Sequence, residues 1–412
     1  MKGRARERED WRRRVPMVTG VGLFVAWVFL VGAATPQARQ AAPAFERREF
    51  VIHDFHTESG VVLPEARVVY TTLGTLNRAG DNAVLLPSHY MANFNGYNWL
   101  IGEANRSDAA GRAGAVDRAL DPARDFIVLT ELFGNGRSSS PSNTPDPFHG
   151  PRFPIVTIRD NVDAVHRLLT QAVHVNHLRA IIGFSMGAEQ AFQWAVSYPT
   201  FMDAIVATSG TAKCYGHGFV RLEGQIAALT TDPTWRGGDY TEPPVKGLEA
   251  FGMVWAGWLY SQEWWRQELW RTNAATFDQA WQAFRTRFGA DANDYILQAR
   301  TWQRHDVGTT AGFDGNTERA LRSIKARVLY MPSETDLYFP VTDARYEQAF
   351  IAGVTFTPIP SLWGHTAGAA SNPADLKFLN EHITAFLREA AHPPQDRAQG
   401  RCSLEVTAEI CR

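Results

Sequence analysis

The segment RAIIGFSMGAEQAFQWAVSYP, residues 179–199, constrains the fold more than any other part of this 412-residue chain. An apolar run, Ala180–Gly183, passes straight into Gly183-Phe184-Ser185-Met186-Gly187, and an amphipathic stretch from Met186 to about Ser197 follows without a linker. A buried strand, a serine two residues from a glycine on each side, and a helix in immediate succession describe a sharp strand-to-helix elbow. The glycines are needed because such a turn forces strained dihedrals and leaves little room for neighbouring side chains. The serine is thereby placed at the positive end of a helix, where developing negative charge is favoured. Five residues alone would be a weak match, since glycine and serine are common. The flanks make it specific.

Around this elbow, from about Ala44, short β-branched runs alternate with helical stretches, the pattern of a mostly parallel sheet covered by helices. Strands are expected at Ala66–Thr71, Ala83–Leu86, Phe126–Thr130, Ala180–Gly183, Ala204–Thr208, Val328–Met331 and Thr355–Ile359. Ile158, Val162, Val165 and Leu169 recur at helical spacing and predict a helix lying on the sheet. The rhythm breaks between about Lys213 and Ser323, where no buried strand is evident and eight of the 13 tryptophans fall. We read that stretch as an inserted helical cap. Its tryptophans either form the cap's own core, which suits them, or line an apolar tunnel for substrate. The chain thus divides into an N-terminal segment (1–42), a first core half (43–212), the cap (213–323), a second core half (324–392) and a tail (393–412).

A serine is a weak nucleophile unless a base takes its proton and a third group orients that base. In a sheet of this kind the partners follow in the order serine, acid, histidine. Asp336 in VLYMPSETDLYFP is the expected acid, with Glu334 as the fallback, and His365 in the Gly364-His365 turn is the expected base. Of the other histidines after Ser185, His217 and His305 sit in the cap, His382 in the last helix and His392 at the start of the tail. The tetrahedral oxyanion needs two donors. One is expected from the Met186 N–H, the other from the loop LLPSHYMANF, at Met91 or Tyr90. His89 in that loop reads as a shaping residue rather than a catalytic one. Gly134-Asn135-Gly136-Arg137 hints at a phosphate cradle but lacks the spacing of a nucleotide loop. No His, Cys, Asp or Glu cluster has metal-ligand spacing, so neither metal nor cofactor is expected.

Seven basic residues lie within positions 1–14, and an apolar run from Val15 to about Ala34 follows. That is the layout of an export signal cleaved near Ala34 or Ala38. The run, residues 15–34, is also long enough to remain as a membrane tether; a cytosolic N-terminus is the third reading. Either export reading puts the body outside the cytoplasm, periplasmic or secreted. The net charge of -2 implies no field that would gather nucleic acid. Cys402 and Cys411 either pair in an oxidising compartment or stay free in the tail, while Cys214 reads as a structural thiol.

Several independent stretches resemble the homoserine O-acetyltransferase family of α/β-hydrolase-fold enzymes, from about Val51 to Ala390. They are SGVVLPEARVVYTTLGTLN, the His89 loop, ELFGNGRSSSPS, FPIVTIRDNVDAVHRLL, the elbow with Gln190 and Trp194, DPTWRGGDYTEPPVKGLEAFGM, TDLYFP and GHT. The resemblance implies an α/β-hydrolase fold, an acetyl group carried on Ser185 from acetyl-CoA to a small alcohol, and often a homodimer. By the same analogy Arg137 lies in a loop near the mouth of the site. The family also implies an arginine for the amino acid's carboxylate after the strand ending at Thr208. Here SGTAKCYGHG offers only Lys213, a point charge without the bidentate fork. YMAN and Thr366-Ala367-Gly368 depart from the family pattern as well.

An exported chain would lack acetyl-CoA, a cytoplasmic donor, whereas deacylation by water needs only an ester. The sequence therefore points to an exported serine ester hydrolase whose partner is a small-molecule ester or acyl donor. Transfer from acetyl-CoA to homoserine or a similar alcohol is the alternative. A hydrolase-fold binding protein is the non-enzymatic one.

Overall fold

Eight strands form one sheet in the order β1-β2-β4-β3-β5-β6-β7-β8. They are β1 (Arg48–His56), β2 (Val62–Leu73), β3 (Ala83–Pro87), β4 (Phe126–Thr130), β5 (Ala180–Phe184), β6 (Ala204–Thr208), β7 (Arg327–Met331) and β8 (Thr355–Phe356). The computed structural model describes residues 45–102 and 117–391. The N-terminal segment with its export reading, and Cys402 and Cys411, lie outside them. β1–β2 and β2–β4 are antiparallel; from β4 through β8 every pairing is parallel. This is an α/β-hydrolase fold.

The central strands are apolar along their whole length because both faces are covered. Leu85, Val128, Ile181, Ile205 and Val328 join a core with helices α1 (Ile158–Arg167) and α2 (Met186–Ser197). Their neighbours Val84, Ile127, Ile182, Val206 and Leu329 face the opposite way. Alternation along each strand produces the two layers. Thr157 and Asp160 close a capping box at the start of α1.

The segment without strand rhythm holds α3 (Gly216–Thr230), α4 (Val245–Leu259), α5 (Gln262–Arg266), α6 (Phe277–Arg285), α7 (Ala292–Gln303) and α8 (Thr317–Arg322). Trp255, Trp264, Trp270 and Trp302 are buried in this cap, and Trp235, Trp258, Trp265 and Trp281 pack half-buried against its core. They are mainly packing residues. Two further helices, α9 (Val341–Gln348) and α10 (Pro373–Ala391), follow β7 and β8, and α10 covers the second face through Leu379, Ile383 and Phe386.

Two elements differ from expectation. The strand expected at Thr355–Ile359 is only two residues long, with a single further bridge from Ile359 to Ser333. Pro358 and Pro360 lack the N–H that a longer ladder requires. β1 was not anticipated. Only Ile52 and Phe55 are buried in it, three residues apart, and Asp54 between them has φ 49°, so the two-residue alternation is broken.

Candidate active site

β5 ends in the elbow, where Ser185 adopts φ 57° and ψ −126°. A Cβ on Gly183 would lie 2.0 Å from the Gly187 carbonyl oxygen, and one on Gly187 would lie 2.6 Å from the Pro87 oxygen. Glycine is required at both positions by backbone contact. The Ser185 N–H donates to the Thr208 carbonyl at 3.0 Å, tying the strained turn to β6.

His365 brings the other two members together. Its Nε2 is 2.9 Å from Ser185 Oγ and its Nδ1 is 2.8 Å from Asp336 Oδ2. Asp336 Oδ1 accepts the N–H groups of Tyr338 at 2.7 Å and Phe339 at 3.2 Å, so both carboxylate oxygens are used. With Nδ1 bearing the proton directed at Asp336, Nε2 is left to accept from the serine. All three residues are buried, with Ser185 2%, Asp336 4% and His365 5% exposed. Thr335 holds the acid and base loops together, its Oγ1 donating to the Ser361 carbonyl and accepting the Gly364 N–H. Glu334 is exposed and takes no part.

The other histidines lie elsewhere. His217 is exposed against Trp258, His305 is buried in the cap, and His382 bonds the Phe378 carbonyl inside α10. His392 lies outside the described residues. His89 packs edge-on to Phe184 beside His365, and burial first, then the His365 charge, pushes it down to about 3. It stays neutral.

The oxyanion donors are only partly as expected. Met186 opens α2, so its N–H has no acceptor within the helix and is available at the elbow. The Met91 N–H, by contrast, donates to Gln298 Oε1 at 2.6 Å and is committed in this conformation. That is a correction. Its reason is a cap side chain, since Gln298 of α7 also donates to the Phe133 carbonyl at 3.0 Å.

The substrate-contact candidates do not join the triad. Lys213 Nζ pairs with Asp306 at 2.8 Å. Arg137 is half-buried on the loop after β4, where its charge opposes the burial that raises Glu131 to about 7. The N–H groups of Gly134, Gly136, Arg137 and Ser138 all bond within that loop, so it is no phosphate cradle. Sequence reasoning missed Gln298 and Arg221. Both are polar residues on the inward face of a cap helix, and that position was the available signal.

A buried serine hydrogen-bonded to a carboxylate-oriented histidine defines an enzyme that carries an acyl group on its serine, as a hydrolase or an acyltransferase. The chain belongs to the α/β-hydrolase family, whose model, described as alpha/beta hydrolase fold, matches residues 110–367. It is 34% identical over 343 residues to an ethyl acetate hydrolase of Pseudomonas veronii, across 81% of this chain and 93% of that one. A homoserine O-acetyltransferase of Trichormus variabilis is 32% identical over 339 residues, across 76% of this chain and 87% of that one. Among solved structures, the acetyl esterase MekB matches with a TM-score of 0.77 at 32% identity, covering 83% of this chain and 97% of that one. The resemblance seen in the sequence motifs holds, and esterases stand beside the acetyltransferases.

Proposed function

We propose that the chain is a hydrolase of small esters, acetyl esters foremost, and that it acts outside the cytoplasm. The geometry supports this reading in the following steps. Ser185 Oγ attacks the ester carbonyl as its proton passes to His365 Nε2. The resulting oxyanion meets the Met186 N–H, and protonated His365 returns the proton to the leaving alcohol. A water then attacks the acyl-enzyme, giving its proton to the same nitrogen, and the acid is released as Ser185 regains its proton. Asp336 stabilises the imidazolium that forms in each half.

The observation that carries hydrolysis over transfer is the ion pair of Lys213 with Asp306, which occupies the one cation expected to hold an amino acid's carboxylate. The similarity to the ethyl acetate hydrolase supports the same reading. O-acetyl transfer remains the second reading, supported by the similarity to the homoserine O-acetyltransferase. The expected result is Ser185 labelling by a fluorophosphonate and steady turnover of p-nitrophenyl acetate. Turnover confined to acetyl-CoA plus homoserine would reverse the order of the two readings, and folded protein that takes no label would remove both. The export reading rests on the cationic and apolar layout of residues 1–34. Cell fractionation tests it, and an intact chain recovered only from the cytosol would sink it.

A further inference from the structure

Arg221 lies on the inward face of α3 with Leu222, Gln225, Ile226 and Leu229, and is 3% exposed. Its guanidinium stands 4.5 Å from the ring centre of Trp302 and 4.1 Å from that of Tyr338. Nη1 donates to Gln225 Oε1 at 2.8 Å, whereas Nε and Nη2 are buried with no hydrogen-bond partner. No carboxylate pairs with it among the described residues. A buried charge left unpaired is costly, so its retention calls for a physical role. Because arginine keeps its proton at every accessible pH, that charge is permanent.

The groups facing this cation come from several elements. Asp336 and Tyr338 come from the turn after β7, Tyr90 from the loop after β3, and Cys214 from the segment after β6. Glu189 faces it from α2, with both carboxylate oxygens buried and unpartnered. Burial raises Glu189 well above the carboxylate range, and the Arg221 charge opposes that shift. Around His365 stand Ser185, Asp336, Tyr338, neutral His89 and the rings of Phe184 and Phe339. Arg287 and Tyr260 face Tyr338 from the cap.

We infer that Arg221 is a positioning residue of the triad: from the cap its guanidinium lies against both Tyr338 and Trp302 and so fixes the turn that carries Asp336. The geometric path is short. The Tyr338 N–H holds Asp336 Oδ1 at 2.7 Å, and its ring centre lies 4.8 Å from that of His365. Phe339, next in the turn, stacks on Trp302 at 4.8 Å. Arg221 itself touches no reacting atom.

The test is the rate of Ser185 labelling by a fluorophosphonate, taken at its pH-independent plateau. Labelling needs neutral His365 but no ester, so a chain that labels without hydrolysing esters defeats the proposed function and leaves this test intact. R221M removes the charge at similar length. Its plateau rate should fall about 10-fold, because Tyr338 and the Asp336 turn lose the flat cation packed against them. R221K keeps the charge without the flat surface. Its plateau rate should fall about 3- to 10-fold. For p-nitrophenyl acetate, R221K should lower kcat and leave KM unchanged. An R221M plateau rate equal to that of the unaltered protein overturns the inference. If R221M does not fold, R221K decides, and an unchanged plateau overturns it.

Discussion

At position 336 one carboxylate serves two partners: Oδ2 orients His365, and Oδ1 holds the N–H groups of Tyr338 and Phe339. Asparagine can replace the second function but not the first. D336N should therefore melt close to the unaltered protein while kcat for p-nitrophenyl acetate falls by about 10⁴, since histidine is then left in the wrong tautomer. Calorimetry alongside the hydrolysis assay separates the two, and a variant that keeps its turnover would remove Asp336 from the mechanism. Ser185, Asp336 and His365 were legible in the sequence because the elbow has a local signature and chain order selects its partners. The bond that engages the Met91 N–H was illegible for a related reason. A backbone N–H has no side-chain signature, and its acceptor, Gln298, comes from an α7 residue 207 positions away. Arg221 was illegible because a lone arginine in an amphipathic helix ordinarily reads as solvated.

Among the elements, the strands from β3 to β7 were legible because burial on both faces leaves short unbroken apolar runs bounded by loops. Such runs end where the apolar residues end, which is why β4 and β6 were placed to the residue. Edge strands are harder to see. β1 has one paired side, to β2, and mostly exposed side chains, so its sequence REFVIHDFH carries little apolar signal. At the other edge β8 is cut short by proline chemistry that an apolar pattern does not register. The cap was legible as an absence of strand rhythm, whereas the packing of its helices over the triad depends on contacts between distant segments. Tyr90 stacking on Trp255 at 5.3 Å is one of these, joining the loop after β3 to α4.

At the scale of the whole molecule, several buried acids set the response to pH. Burial raises Glu131 and Asp294 to about 7 and Glu347 to about 8. The unfolded chain releases those protons near about 4–4.5, so the stability they contribute is full below that range and is lost as pH rises through 7 to 8. His89 and His305 act oppositely. Burial pushes both down to about 3, so their contribution is present above about 6.5 and lost as the pH falls towards 3. The melting temperature should consequently decline between about pH 6.5 and 9, where the carboxyls dominate, and E347Q should decline less steeply. Circular dichroism melts across that range test this, and a Tm that rises with pH would refute it. Gln298 has a consequence of another kind. One amide from the cap grips the Phe133 carbonyl and the Met91 N–H, spanning the loops after β4 and β3. Cap and core are therefore not interchangeable parts. A chimera that takes its cap from a relative also takes that relative's setting of both loops, so borrowed specificity arrives together with a retuned reaction centre.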